Sequence, residues 1–153
     1  MKRIIELKKI EKEYGNNNNK VNALRGIDFL VNEGEFIAIM GPSGSGKSTL
    51  LNIIGFLDRA TKGKYYFKGE LVEALNDKEL SELRNKNIGF VVQNFALIDD
   101  YTVFQNIKVP LDYTKLSRSE KKKRINDTLK KLNIENKKDK YPNELSGGQN
   151  QRV

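Results

Sequence analysis

The sequence predicts an α/β fold with an antiparallel β layer first, a parallel-sheet core next and a helical subdomain last. Three observations carry that prediction. Residues Gly26 to Val31 alternate between apolar and polar, and a continuous apolar run from Phe36 to Met40 breaks into a glycine-rich turn and a helix-forming stretch. Beyond residue 94, apolar residues recur at helical spacing behind polar caps.

Ile4 to Ile10 and Gly26 to Val31 read as the strands of the β layer. In the second, Ile27, Phe29 and Val31 share one face and Asp28 takes the other, the pattern of a sheet covered on one side. Between them KEYGNNNNKVNALRG is polar and low in complexity, and is expected to be a surface loop. Tyr14 stands near its head. An aromatic there either lies against a flat base such as adenine or is a loop tyrosine half buried by packing.

Phe36 to Met40 shows no polar alternation, as expected of a strand buried on both faces of a parallel sheet. It leads into GPSGSGKST, where Gly41, Gly46, Lys47 and Ser48 satisfy G-x-x-x-x-G-K-[ST] between a strand and a helix. Gly41, Gly44 and Gly46 permit backbone angles closed to other residues, so that successive N–H groups can turn inward around phosphate oxygens. The helix beginning near Gly46 adds the positive end of its dipole. Lys47 is expected to reach the outer phosphates and the Ser48 hydroxyl to hold one position on Mg²⁺.

Leu50, Leu51, Ile53, Ile54 and Leu57 then recur on a wide helical face, which predicts a deeply packed helix. Lys64 to Lys68 reads as a short strand closed by Gly69, and Asn76 followed by Glu79 starts a short helix through about Asn85. Ile88 to Val92 is a second continuous apolar run, ending at Gln93. A polar residue at the carboxyl end of such a strand sits where ligands bind in open α/β sheets, or is a plain loop glutamine.

Asp99 and Asp100 read as a solvated turn or helix cap ahead of a helix around Val103 to Lys108, with no partner for acid–base work. Ser117 and Glu120 form a capping box, followed by an apolar stripe of Ile125, Leu129 and Leu132. The sequon at Asn126 to Thr128 falls inside that helix and is set aside. In the last stretch, YPNELSGGQNQRV, Ser146, Gly147 and Gly148 offer a hydroxyl and backbone N–H groups ahead of a helix start. This is either a second place for phosphate oxygens or a simple turn.

Composition narrows the function classes. With no cysteine and no histidine, disulfides and thiolate metal sites are excluded, which fits a reducing cytosol. The N-terminal apolar run is too short for a signal peptide, and no stretch approaches the ~18 apolar residues of a membrane span, so a soluble chain is expected. The net charge of +8 is concentrated between Ser117 and Lys140. Nucleic acid or anionic lipid would suit it, but no aromatics interleave with the lysines as single-strand binders require, and a solvated helix face is the simpler reading.

Taken in order, GPSGSGKST, FVVQ and LSGGQNQRV resemble the nucleotide-binding domain of ATP-binding cassette transporters, with LSGGQ the most specific mark. The wording around the motifs is similar to bacterial cassettes of lipoprotein-releasing, macrolide-export and antimicrobial-peptide permeases. The likeness covers residues 1 to 153. It implies a P-loop NTPase core, with Tyr14 stacking on adenine and Gly41, Ser43, Gly44, Ser45, Gly46, Lys47, Ser48 and Thr49 cradling the triphosphate as the Walker A motif. Gln93 would join Ser48 at Mg²⁺ and sense the membrane subunit. Ser146, Gly147, Gly148 and Gln149 would contact the γ-phosphate of ATP held by a second cassette, giving a head-to-tail dimer. Residues 1–93 would form the β layer and P-loop core, and residues 94–153 the helical subdomain, of which Asn94 to Lys140 docks on the permease. The location implied is cytoplasmic, peripheral on the inner face of the cell membrane.

The departures are instructive. Val92 stands where an aromatic often precedes the glutamine, and Asn150 where glutamine is common. The family continues past LSGGQ into an acidic Walker B strand with the Mg²⁺ aspartate and catalytic glutamate, then a switch histidine, none of which these residues contain. The expectation is therefore a truncated cassette, its core sheet incomplete, that binds ATP with negligible turnover. The strands of the missing part would lie between the two apolar runs, so an aggregation-prone or molten chain is expected. Two further readings stand beside a transporter subunit: a short non-hydrolysing protein that binds nucleotide or a permease, and a cassette ATPase acting on nucleic acid.

Overall fold

A computed structural model describes residues 2–16, 19–91 and 96–153. The chain forms two compact units, residues 1–89 and 90–153.

The first unit is built on an antiparallel sheet of four strands, β1 (Arg3–Tyr14), β2 (Val21–Asn32), β3 (Lys62–Phe67) and β4 (Glu70–Leu71), in the order β2-β1-β3-β4. β1 and β2 pair from Arg3 opposite Asn32 to Tyr14 opposite Val21. The polar stretch expected as a loop is therefore mostly strand, and among the described residues only 15, 16, 19 and 20 of it lie outside β1 and β2. Its side chains need no apolar partner because one face of the sheet is in water, while the ladder satisfies the backbone.

Leu7 and Ile10 are both fully buried although they lie three residues apart, which strict strand alternation forbids. A bulge reconciles them. The β1–β2 register shifts between Leu7 and Ile10, and Lys9 takes a left-handed φ of 50°. Its N–H donates to Asp28 Oδ1 at 2.9 Å and its ammonium to Oδ2 at 2.7 Å. The neighbouring strand passes so close that a Cβ on Gly63 would lie 2.4 Å from Lys9 O.

Helix α1 (Lys47–Ile54) packs on the sheet through Leu50 and Ile53, whereas Leu51 and Leu57 are exposed. The apolar face expected of this helix is thus narrower than its sequence suggests. Phe56 stacks on Tyr65 at 5.4 Å between centroids and meets Phe67 edge-on at 5.2 Å. The Tyr65 hydroxyl donates to Ile54 O at 2.9 Å, tying β3 to the end of α1. Helix α2 (Asp77–Asn87) starts with the expected capping box of Asn76 and Glu79 and buries Leu80 in the same core.

The two runs read as buried strands are not strands among the described residues. Phe36 is 98% exposed, Met40 89% and Val91 80%, and neither run joins the sheet. A strand requires neighbours to take its N–H and C=O groups. Among the described residues none flanks these runs; Val92 lies outside the described residues. Ile39 and Ile88 alone of the apolar residues at 36–40 and 88–89 pack against the core.

The second unit is helical: α3 (Val103–Asp112), α4 (Arg118–Lys131) and the single turn α5 (Gly147–Asn150). Thr102 with Gln105 caps α3, and Ser117 with Glu120 caps α4 as expected. Asp99 and Asp100 lie exposed in the turn ahead of α3, which Asn106 pins by accepting from Ile98 N–H at 2.8 Å and donating to Tyr101 O at 3.0 Å. Val103, Ile125, Leu129 and Ile134 form the core, while Leu132 turns partly to solvent. Among the described residues, no helix is long and apolar enough to cross a membrane.

A phenylalanine left in water forgoes about 2–3 kcal/mol of burial, a large share of a net stability of ~5–15 kcal/mol. Residues 1–153 expressed alone should therefore bind a hydrophobic dye and self-associate as concentration rises. Phe36→Ser with Met40→Ser should suppress both, as read by dye fluorescence and sedimentation; a monodisperse chain with a sharp thermal transition would contradict this.

Candidate phosphate-binding site

The site begins where the chain leaves β2. Glu35 accepts from Asn32 N–H at 2.7 Å and from its Nδ2 at 2.8 Å, and these bonds hold its carboxyl below the usual range. Past residue 40 the backbone turns through Gly44, with φ 79°, and Gly46, with φ 86°, which caps α1. The two glycines are needed for different reasons. A Cβ on Gly44 would meet open space, so only its backbone conformation demands glycine, whereas a Cβ on Gly46 would lie 2.5 Å from Ala23 O. The helix start is thus pressed directly on the backbone of β2.

The first bond of the α1 ladder runs from Leu50 N–H to Gly46 O at 2.9 Å, so the N–H groups of Lys47, Ser48 and Thr49 precede it. The first turn holds no acidic residue to neutralise the positive end of the dipole. Lys47 curls over the loop, its ammonium donating to Gly41 O at 2.8 Å, Pro42 O at 2.7 Å and Ser45 Oγ at 3.3 Å. A cation held among carbonyls at the mouth of a helix N-terminus is poised to exchange those weak acceptors for the fuller charge of phosphate oxygens. Ser43, Gly44, Ser45 and Ser48 are exposed and Thr49 is half-buried.

These features fit a polyphosphate: open glycine backbone, N–H groups ahead of the helical ladder and an ammonium in one turn. For a metal ion they offer less. Among the described residues no three acidic, histidine or cysteine side chains cluster to hold one. Of the two ligands expected, Ser48 is exposed in the first turn of α1, and Gln93 lies outside the described residues.

Sheet register brings Tyr14 to the same end of the hairpin. Tyr14 pairs with Val21 and Lys12 with Leu24, and it is Ala23 and Leu24 that a Cβ on Gly46 would strike. Tyr14 is 40% exposed. Its hydroxyl donates to Asp58 Oδ2 at 2.7 Å, and Lys12 Nζ lies 4.9 Å from its centroid while also bonding Asp58 Oδ1 and, at 2.8 Å, Arg59 O. Burial of the Asp58 carboxyl opposes its charge, but the bonds from Lys12, Tyr14 and Arg59 N–H outweigh it and hold the group below the usual range. Lys12 and Asp58 were invisible as site residues in the sequence, because no spacing relates positions 12 and 14 to 58.

Ser146 to Gln149 belong to the second unit. Ser146 precedes α5, its N–H donating to Gln149 Oε1 at 3.0 Å, and Ser146, Gly147 and Gly148 are exposed. Asn150 Nδ2 donates to Pro142 O at 3.0 Å and fastens the turn to the segment before it.

The family profile for ABC transporters matches residues 24–153. The chain is 45% identical over 153 residues to an uncharacterized ABC transporter ATP-binding protein of Thermotoga maritima, covering 100% of this chain and 65% of that protein. It is 44% identical over 150 residues to the bacitracin export ATP-binding protein BceA of Halalkalibacterium halodurans, covering 98% and 59%. The chain thus spans less than two thirds of the length of these relatives. In three dimensions it is similar to the dimeric post-hydrolysis state of the ATP-binding cassette MJ0796 bound to ADP and Pi. There the TM-score is 0.87 and the identity 42%, covering 97% of this chain and 66% of that one.

Charge-assisted hydrogen bonds contribute about 1.5–3 kcal/mol. Lys47→Ala should therefore weaken binding of inorganic tripolyphosphate roughly ten- to hundredfold, as read by calorimetric titration. A second expectation follows from Asp58. Its folded-state pKa lies below the unfolded one, so its contribution is complete above about pH 3.9 and is lost as pH falls through the lower folded value. Urea midpoints measured downward from pH 5 should fall less steeply in Asp58→Asn than in the parent.

Proposed function

This chain belongs to the ABC transporter family, and from that premise we propose that it is the ATP-binding part of an exporter's energy-coupling subunit. The observation that carries the proposal is the loop of residues 41–49, where a helix N-terminus, open glycine backbone and the Lys47 ammonium converge, with Tyr14 at the same end of the hairpin. Backbone N–H groups of Gly41, Ser43, Gly44, Ser45 and Gly46, with those of Lys47 to Thr49, wrap the phosphates, Lys47 neutralises the outer ones, and Tyr14 stacks on the base. Ser48 and Gln93 would be the residues of this chain that hold Mg²⁺, which would supply positive charge against the outer phosphates.

Ser146, Gly147, Gly148 and Gln149 contact the γ-phosphate held by a second cassette, so that ATP is sandwiched in a head-to-tail pair. The dimeric state of the similar cassette MJ0796 supports this arrangement, and the bacitracin export relative supports the direction of transport. Residues 1–93 form the β layer and phosphate-binding core. Residues 94–153 form the helical subdomain, whose segment 94–140 docks on a membrane permease and holds the protein on the cytoplasmic face. Among the described residues no carboxylate is placed to polarise an attacking water, so residues 1–153 bind ATP with negligible turnover.

Residues 1–153 should bind ATP with Mg²⁺ in a titration with a fluorescent analogue, weaken on Lys47→Ala, and release no phosphate above background. Steady phosphate release by these residues, or ATP binding indifferent to Lys47→Ala, would overturn the proposal.

A further inference from the structure

We infer that Asp58 is a positioning residue for nucleotide binding, orienting the Tyr14 ring so that one defined face meets the base. This rests on the reading of Tyr14 as the base platform. Tyr14 is the last residue of β1, and the chain turns away at Gly15 with φ 94°, so the strand alone does not fix the ring. The ring is held from its far end, where the hydroxyl donates to Asp58 Oδ2 at 2.7 Å. The other oxygen of the same carboxylate accepts from Lys12, whose ammonium lies over the ring 4.9 Å from its centroid. A cation over one face stabilises the ring there and leaves the opposite face for a stacked base. Arg59 N–H donates to Asp58 Oδ1 at 2.7 Å and fixes the carboxylate.

Asp58 is itself placed by α1. The N–H groups of Leu57 and Asp58 donate to Asn52 O at 2.8 and 3.2 Å, so the carboxylate stands just beyond the carboxyl end of the helix whose amino end carries Gly46 and Lys47. Thr61 N–H donates to Glu11 O at 2.8 Å, and Glu13 N–H donates to Thr61 Oγ1 at 3.0 Å, fastening residues 58–61 to β1. The eight residues of α1 span about 12 Å at ~1.5 Å per residue. Asp58 therefore links the platform for the base to the helix that presents the phosphate site, and sets the ring's attitude from that helix.

An ion pair that only stabilised the fold would affect every ligand alike, so ATP and inorganic tripolyphosphate separate the two roles. Both are titrated calorimetrically onto the full natural chain. Tyr14→Ala should weaken ATP about ten- to hundredfold by loss of stacking. Tyr14→Phe, which keeps the ring and removes its tether, and Asp58→Ala should each weaken ATP about three- to tenfold. Tripolyphosphate affinity should stay at the parent value in all three. Parent-like ATP affinity in Tyr14→Ala would overturn the reading of Tyr14 and this inference with it. Loss in Tyr14→Ala with parent-like ATP affinity in Tyr14→Phe would overturn the inference alone, as would equal loss of both ligands in Asp58→Ala.

Discussion

The start of α1 lies against the backbone of β2 because residue 46 has no side chain. With Ala23 O only 2.5 Å from where a Cβ would stand, any other residue would lift the helix from the hairpin. Much else depends on that approach. It allows Leu50 and Ile53 into the core formed with Leu7, Ile10 and Tyr65. It also sets the amino end of the helix against Ala23, near the end of the hairpin that carries Tyr14. Packing and electrostatics are therefore set by one steric fact, and neither could be adjusted without the other.

Part of this was legible in the sequence because it is local. The loop of residues 41–49 is a contiguous pattern, and the caps at Asn76 and Ser117 place a side-chain acceptor three residues from the N–H it serves, so spacing alone reveals them. The bulge at Lys9 was not legible. Two consecutive lysines look like any solvated stretch, and only the simultaneous burial of Leu7 and Ile10 shows that the strand shifts between them. The partners of Tyr14 were hidden for a related reason: Asp58 reaches it through the fold, from a position 44 residues away. Gln93, the remaining site residue of the core, lies outside the described residues.

The misread strands show where periodicity stops being informative. A continuous apolar run reports that a segment is suited to burial on both sides, and Phe36 to Met40 and Ile88 to Val91 have that composition. Burial is a property of the neighbours as well as of the segment. Among the described residues nothing lies beside these runs to accept their backbone groups or cover Phe36, Met40 and Val91, so the segments stay irregular. The antiparallel hairpin, by contrast, carries its own partner and forms even where its residues are polar.

That contrast bears on how the phosphate loop keeps its shape. A loop between a strand and a helix is ordinarily clamped at both ends, but here its entrance is secured chiefly by Glu35 on Asn32 and by Ile39 against the core. The firm anchor is the helical end, at Gly46. Between the two, Lys47 draws Gly41 O and Pro42 O onto its own ammonium, bridging the loop from the anchored end back toward the loose one. The lysine thus serves as an internal ligand: its charge, which would repel the helix N-terminus if left alone, is balanced by carbonyls that hold the turn closed. A phosphate entering the loop would replace those carbonyls with stronger acceptors, so the interaction that preserves the loop's form is the same one that binding consumes.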